Sequence, residues 1–188
     1  MNLLGKKKLQ QDGTDLILET SLQTFFFDHL NDLNQKSTRP LPNEAIYYSS
    51  LLLDKFGESQ NYFEVEEGRI KEKILGLKLL ESNSLNKNSQ KRALMDIGDT
   101  ALFLCGYFAE SLNRKIVDGR YYQNIGIMAY DRLNHLEPDF LDFPEFYSFL
   151  SRSFETLTMM IGTVAQSLSA KSNEVSLFIS TPHTIKVS

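Results

Sequence analysis

Cysteine is almost absent from this chain of 188 residues, and its scarcity excludes two chemistries at once. A single thiol, Cys105, forms neither an intrachain disulfide nor a cysteine-built zinc site. It lies in the apolar run Leu102-Phe103-Leu104-Cys105-Gly106-Tyr107-Phe108, where a thiol behaves as a small hydrophobe rather than a nucleophile. Long apolar runs are missing too: the longest, over residues 101–109, is about half what a membrane-spanning helix needs. Positive charge is thin. With 20 Lys and Arg against 24 Asp and Glu, the net charge of −4 argues against nucleic acid as a partner. The only basic run, Lys6-Lys7-Lys8, reads as part of a solvated N-terminal arm, residues 1–13, with no apolar stretch of signal-peptide type behind it. The expectation is a cytoplasmic protein.

Catalytic and metal signatures are equally scarce. No Glu is followed by His three residues later, as the facing helices of a diiron bundle require. Asp131 with His135 and His29 with Asp32 are two-ligand fragments of a kind that amphipathic helices produce by chance. Phosphate-cradling glycine loops and a Gly-x-Ser-x-Gly turn do not occur. The helix near Lys71-Glu72-Lys73 carries both signs of charge, which does not suit a DNA-recognition helix. No catalytic residue, metal or cofactor is assigned on this basis.

What the chain does have is a helical apolar period. A first helix is expected over residues 20–34, with Leu22, Phe25, Phe26, Leu30 and Leu33 inward. Pro40 and Pro42 end it, and Asn43 is positioned to cap a second helix reaching Phe56, with Ile46, Leu52, Leu53 and Phe56 inward. A third spans residues 65–81, with Ile70, Ile74, Leu77 and Leu80 inward. Ser89 caps a fourth that reaches Ala109, and Asp118 a fifth that ends near Leu136, before Pro138. Asp142 and Glu145 have the spacing of a capping box for a sixth, which runs to about Ala170. On it Phe143, Tyr147, Leu150, Phe154, Leu157, Ile161, Val164 and Leu168 recur at steps of four and three, a seam suited to lying along neighbouring helices. The expected fold is an all-α, single-domain bundle of about six helices over residues 14–171. Its long C-terminal helix forms the spine, and residues 172–188 form a tail.

The fourth and fifth helices carry the unusual features. Gly98, Ala101, Cys105 and Ala109 form a small-residue stripe matched by Gly126 and Ala129, so the two helices are expected to cross there in contact. Asp96 and Asp99 lie three apart, and Asp99, beside the most apolar run, is the one expected to be buried and functional. The connection from Glu110 carries Arg114 and Lys115 and leads to Arg120, Tyr121 and Tyr122 at a helix N-terminus, a setting for anion or protein recognition.

Gly98-Asp99, Ala101-Leu102-Phe103, Gly106 to Leu112, Asp118 and Tyr121-Tyr122 together resemble a pattern in uncharacterised bacterial all-helical proteins. The resemblance covers this hairpin closely and the flanking helices loosely. It implies a cytoplasmic helical domain and brings no activity, substrate or catalytic residue.

The leading expectation for function is a non-catalytic interaction or regulatory module that binds another protein, a homodimer included. Its recognition residues are Asp99, Glu110, Arg114, Arg120, Tyr121 and Tyr122. The alternative is a sensor for a small anionic ligand, with its pocket between the fourth, fifth and sixth helices. The third is an enzyme of unknown reaction type using Asp99 or Glu110 with Tyr121.

Overall fold

A computed structural model describes residues 21–57, 63–66, 69–72, 74–112, 119–136, 143 and 145–171; for 63–66, 69–72, 110, 111 and 169–171 it describes the backbone alone. The predicted arm, residues 1–13, and tail, residues 172–188, lie outside the described residues. The fold is an all-α bundle with one small β-hairpin attached.

Helix α1, Leu22–Gln35, starts where Ser21 accepts the backbone N–H of Thr24 at 3.1 Å. Phe26 and Leu30 are buried as the period predicts, but Leu22 is exposed and Asn34 takes an inner position instead. The Asn34 carboxamide fixes the turn that follows: Nδ2 donates to the Leu41 carbonyl at 2.8 Å and Oδ1 accepts the Leu41 N–H at 2.7 Å. One side chain therefore satisfies both polar groups of a backbone unit in a connection that contains two prolines. Helix α2, Asn43–Lys55, buries Ile46, Leu52 and Leu53, with Phe56 buried just beyond its end. Pro42 occupies the cap position there, so Asn43 is the first helical residue and not the cap.

The expected third helix is overturned in its first half. Residues Phe63–Glu66 (β1) and Arg69–Glu72 (β2) pair antiparallel, with Val65 opposite Ile70 and Glu64 opposite Lys71. Apolar and charged residues alternate from Phe63 to Glu66 and from Arg69 to Lys71, and the two residues between the strands are Glu67 and Gly68. Both are hairpin signals that override a weak helical period. Helix α3 is confined to Leu75–Glu81, which resets its inner face. Leu75 and Leu79 are buried, whereas Ile74, Leu77 and Leu80, expected inward, stand 64%, 50% and 68% exposed.

A 3₁₀ turn at Ser82–Ser84 leads into helix α4, Lys87–Tyr107. Its cap is Asn86, whose side chain accepts the Ser89 N–H at 3.0 Å, so Ser89 is the capped residue and not the cap expected from sequence. A single turn, α5 (Ala109–Leu112), precedes α6 (Gly119–Leu136); Asp118, the expected cap of that helix, lies outside the described residues. The sixth predicted helix is divided at Ser153 into α7, Phe146–Arg152, and α8, Phe154–Lys171. Its seam continues through the break, with Tyr147, Leu150, Phe154, Leu157, Ile161, Val164 and Leu168 all buried. The expected capping box does not form on Glu145, which adopts φ 56° in front of α7 and makes no side-chain cap. Asn134 of α6 supplies that cap instead, accepting the Ser148 N–H at 3.1 Å.

Helix α4 lies at the centre and packs most extensively against α6, then α8, with α3 and α2 alongside; α1 covers α2 and touches α8. The α4–α6 crossing is close because its residues are small. Ala101 and Ala129 are fully buried, and a β-carbon on Gly126 would stand 2.9 Å from the Ala101 Cβ and 2.4 Å from Cε2 of Phe154 on α8. Among the described residues, no helix is long and apolar enough to cross a membrane.

Candidate functional site

Burial of an ionised carboxylate is costly unless donors surround it, and α4 places one in the bundle interior. Asp99 is 5% exposed. Its Oδ1 accepts the hydroxyls of Tyr48 from α2 at 2.5 Å and Tyr130 from α6 at 3.0 Å, and its Oδ2 accepts Lys55 Nζ at 3.1 Å. Lys55 lies two helical turns beyond Tyr48, so both reach the same stretch of α4 from one face of α2. Its ammonium also stands 4.0 Å from Asp96. The two acids three apart on α4 thus share a cation that the chain itself provides.

Three donors meet the Asp99 carboxylate, and the two phenols stay protonated to donate. Burial first, and the neighbouring Asp99 charge second, hold the Tyr48 and Tyr130 hydroxyls well above the ordinary tyrosine value. Tyr147 of α7 extends the cluster, its ring stacked on Tyr130 with centroids 6.3 Å apart. This arrangement is a held charge that ties α2, α4 and α6 together.

The other sequence-predicted recognition residues lie elsewhere. Tyr121 is about nine residues from Tyr130 along α6, roughly 13 Å by helical rise, so it does not join Asp99. Tyr121 is 41% exposed and packs edge-on against buried Tyr122 with centroids 5.4 Å apart. Arg120 is exposed on the same first turn of α6. Glu110 belongs to α5 but its side chain is not among those described, and Arg114 lies outside the described residues. Tyr122 itself is buried, its ring taken into the Phe/Tyr-rich interior. Tyr48 is buried in the Asp99 cluster.

Both acid–histidine fragments are internal to their helices. His29 Nδ1 contacts the Phe25 carbonyl at 2.9 Å and His135 Nδ1 the Asp131 carbonyl at 2.8 Å. No group of three metal-ligating side chains occurs among the described residues. Cys105 is half-buried, its Sγ 3.6 Å from the Gly119 carbonyl, and burial pushes the thiol up to about 12.

Concavities border this core among the described residues. An open groove of about 700 Å³ runs between the end of α1 and the Pro40–Pro42 turn, lined by Phe27, Asn31 and Asn34 among others. A smaller cavity of about 290 Å³ lies where α4, α6 and α7 meet, lined by Asn88, Lys91, Arg92, Met95, Leu133 and Tyr147. No protein-family model matches this sequence, and comparison with curated proteins and with solved structures returns no match.

Sequence reasoning picked out Asp99 but missed Tyr48, Lys55 and Tyr130. The Tyr48–Lys55 spacing of two turns is a local signal that both share a face. Nothing local, however, connects that face to α4 or to Tyr130.

Proposed function

We propose that this chain is a non-catalytic interaction module of the cytoplasm whose partner is a second copy of itself, docked through the outer face of α3 and the adjoining face of α6. The observation that carries this reading is the exposure of Ile74, just before α3, and of Leu77 and Leu80 on that helix, whose other face buries Leu75 and Leu79. Tyr121 and Met128, 41% and 45% exposed, continue the same surface on α6. Continuity follows from the contacts beneath: Gly76 of α3 lies against Tyr121 and Ile125, and Arg132 donates to Asn83 at 3.2 Å just past the end of α3.

Area selects the occupant. Five large apolar side chains exposed to this degree, with Leu85 at 42%, present on the order of 500 Å² of apolar surface, near the upper end for a monomer. A standard interface covers about 800 Å² per partner, roughly 65% of it apolar between identical subunits, so this patch is the size of one half of a dimer. A two-fold axis through α3 would place the patch on itself, as an isologous contact demands.

Sedimentation velocity over a dilution series tests this. The wild-type chain is expected to shift from dimer to monomer on dilution. Leu77→Asp and Leu80→Asp are expected to be monomeric throughout and to melt as the wild type does at dilutions where it is monomeric, because both side chains already face solvent in the monomer. A wild-type monomer up to about 0.5 mM, well above where a standard-size interface associates, would reject self-association.

A further inference from the structure

The groove between the end of α1 and the proline turn carries hydrogen-bonding groups that the fold itself does not use. Asn31 and Gln35 border it from α1 and Asn43 from α2, and among the described residues these three carboxamides make no hydrogen bond. Neighbouring Asn34 shows what such a group does here, since it holds the Leu41 backbone through both its donor and its acceptor. Apolar surface is open to a ligand as well. Leu41, Pro42 and Phe27 are only half-buried, and Tyr47, one turn beyond Asn43, is 40% exposed with its ring edge-on to Phe27, centroids 6.5 Å apart.

The carboxamide spacing suits an extended chain. Asn31 and Gln35 are one turn apart, a rise of about 6 Å, and every second residue of a strand repeats at about 6.6 Å. A strand leaves its backbone N–H and C=O free for such groups, whereas a helix has already paired its own. Charge narrows the partner further. Helix α1 contains no lysine or arginine, and the single one in α2, Lys55, is turned inward onto Asp99. Asp28 and Asp32 stand exposed three residues before Asn31 and Gln35, beside them on the surface of α1, while α2 contributes Glu44 and exposed Asp54. None of these four acids forms an ion pair among the described residues. The nearest cations, Lys36 and Arg39, lie beyond the end of α1 in the turn.

We propose that the α1–α2 groove binds an extended, basic peptide segment of another protein. Its backbone bonds Asn31, Gln35 and Asn43, its apolar side chains enter beside Phe27, Leu41 and Tyr47, and its lysine or arginine side chains meet the acidic rim. The site does not rest on the α3 surface.

An end-blocked octapeptide alternating leucine with lysine is a suitable probe, titrated calorimetrically into the full chain and followed by side-chain amide NMR. The controls replace lysine by glutamate, or leucine by glycine. The lysine peptide is expected to saturate with Kd of about 0.5 mM or tighter and to shift the amide resonances of Asn31 and Asn43. Each control should bind at least tenfold more weakly. The double variant Asp28→Lys, Asp32→Lys should weaken the lysine peptide at least tenfold and strengthen the glutamate peptide, a reciprocal change that misfolding does not produce. Asn31→Leu should weaken the lysine peptide at least fivefold at an unchanged melting temperature. Absence of saturation, equal binding of the glutamate peptide, or unchanged affinity in the charge-reversed variant would each overturn the proposal. Self-association abolished by Tyr47→Asp would give the groove to a second copy and overturn it too.

Discussion

The ring of Tyr130 lies against the backbone of α4 at Gly98, with Cε1 only 2.6 Å from the point where a β-carbon would stand. That gap lets α4 and α6 approach closely enough for the Tyr130 hydroxyl to reach Asp99, the next residue on α4, at 3.0 Å. The small residue and the buried acid are therefore two parts of one device. Glycine makes room for the ring, and the ring delivers a donor to the charge.

Gly98→Ala places two effects in opposition. Alanine favours the helix by up to ~1 kcal/mol, but its methyl group would also meet Tyr130 Cδ1 at 2.8 Å and Cζ at 3.0 Å. Tyr130 is fully buried and tethered to Asp99, so it cannot swing aside cheaply. Overpacking typically costs ~1–3 kcal/mol, which outweighs the propensity gain and gives a net loss. Urea denaturation measures it; a net gain of ~1 kcal/mol would show that the ring is free to move.

Removing either phenol hydroxyl leaves the Asp99 charge with fewer donors. Tyr48→Phe and Tyr130→Phe are each expected to cost ~1.5–3 kcal/mol, the range for hydrogen bonds to charged groups. Because both donate to the same oxygen, Oδ1, their effects should not add. A coupling energy of ~0.5–3 kcal/mol is expected in the double-mutant cycle. Strict additivity would mean that the two hydroxyls do not share one acceptor.

The fold class was legible because long amphipathic helices repeat their signal many times. The seam from Tyr147 to Leu168 supplies seven buried positions in register, enough to survive the break at Ser153. Short elements carry too few repeats. Over residues 65–81 the helical period was weak, so strand alternation won in the first half, and Ile74, Leu77 and Leu80 turned outward. Caps slipped for a related reason. Asn86 and Ser89 are both good cap residues, and the choice rests on where the preceding 3₁₀ turn delivers the chain. Asn134 caps α7 from another helix, which no local rule reveals. Asp99 could be singled out because an acid beside an apolar run is anomalous. Its partners could not, because Tyr48 is 51 residues away and Tyr130 is 31 away.

Alkaline pH should unfold this protein earlier than its acidic composition suggests. Cys105 is raised from the ordinary thiol value of 9.0 to about 12 by burial, and Tyr48 and Tyr130 are raised well above 10.0 by burial and then by Asp99. Each group keeps its proton in the folded chain after the unfolded chain has lost it. The folded state then binds more protons, so stability falls as pH rises. The contribution of Cys105 is complete below pH 9 and lost between pH 9 and about 12, while the tyrosines add their loss from pH 10 upward. Each group steepens the decline by up to ~1.4 kcal/mol per pH unit. Urea midpoints taken from pH 8 to pH 11 should therefore fall with a break near pH 10. The Tyr48→Phe, Tyr130→Phe double variant, less stable at pH 8, should show a shallower fall above that break. An identical slope in the double variant and the wild type would mean that the two phenols ionise in the folded protein as they do in the unfolded chain.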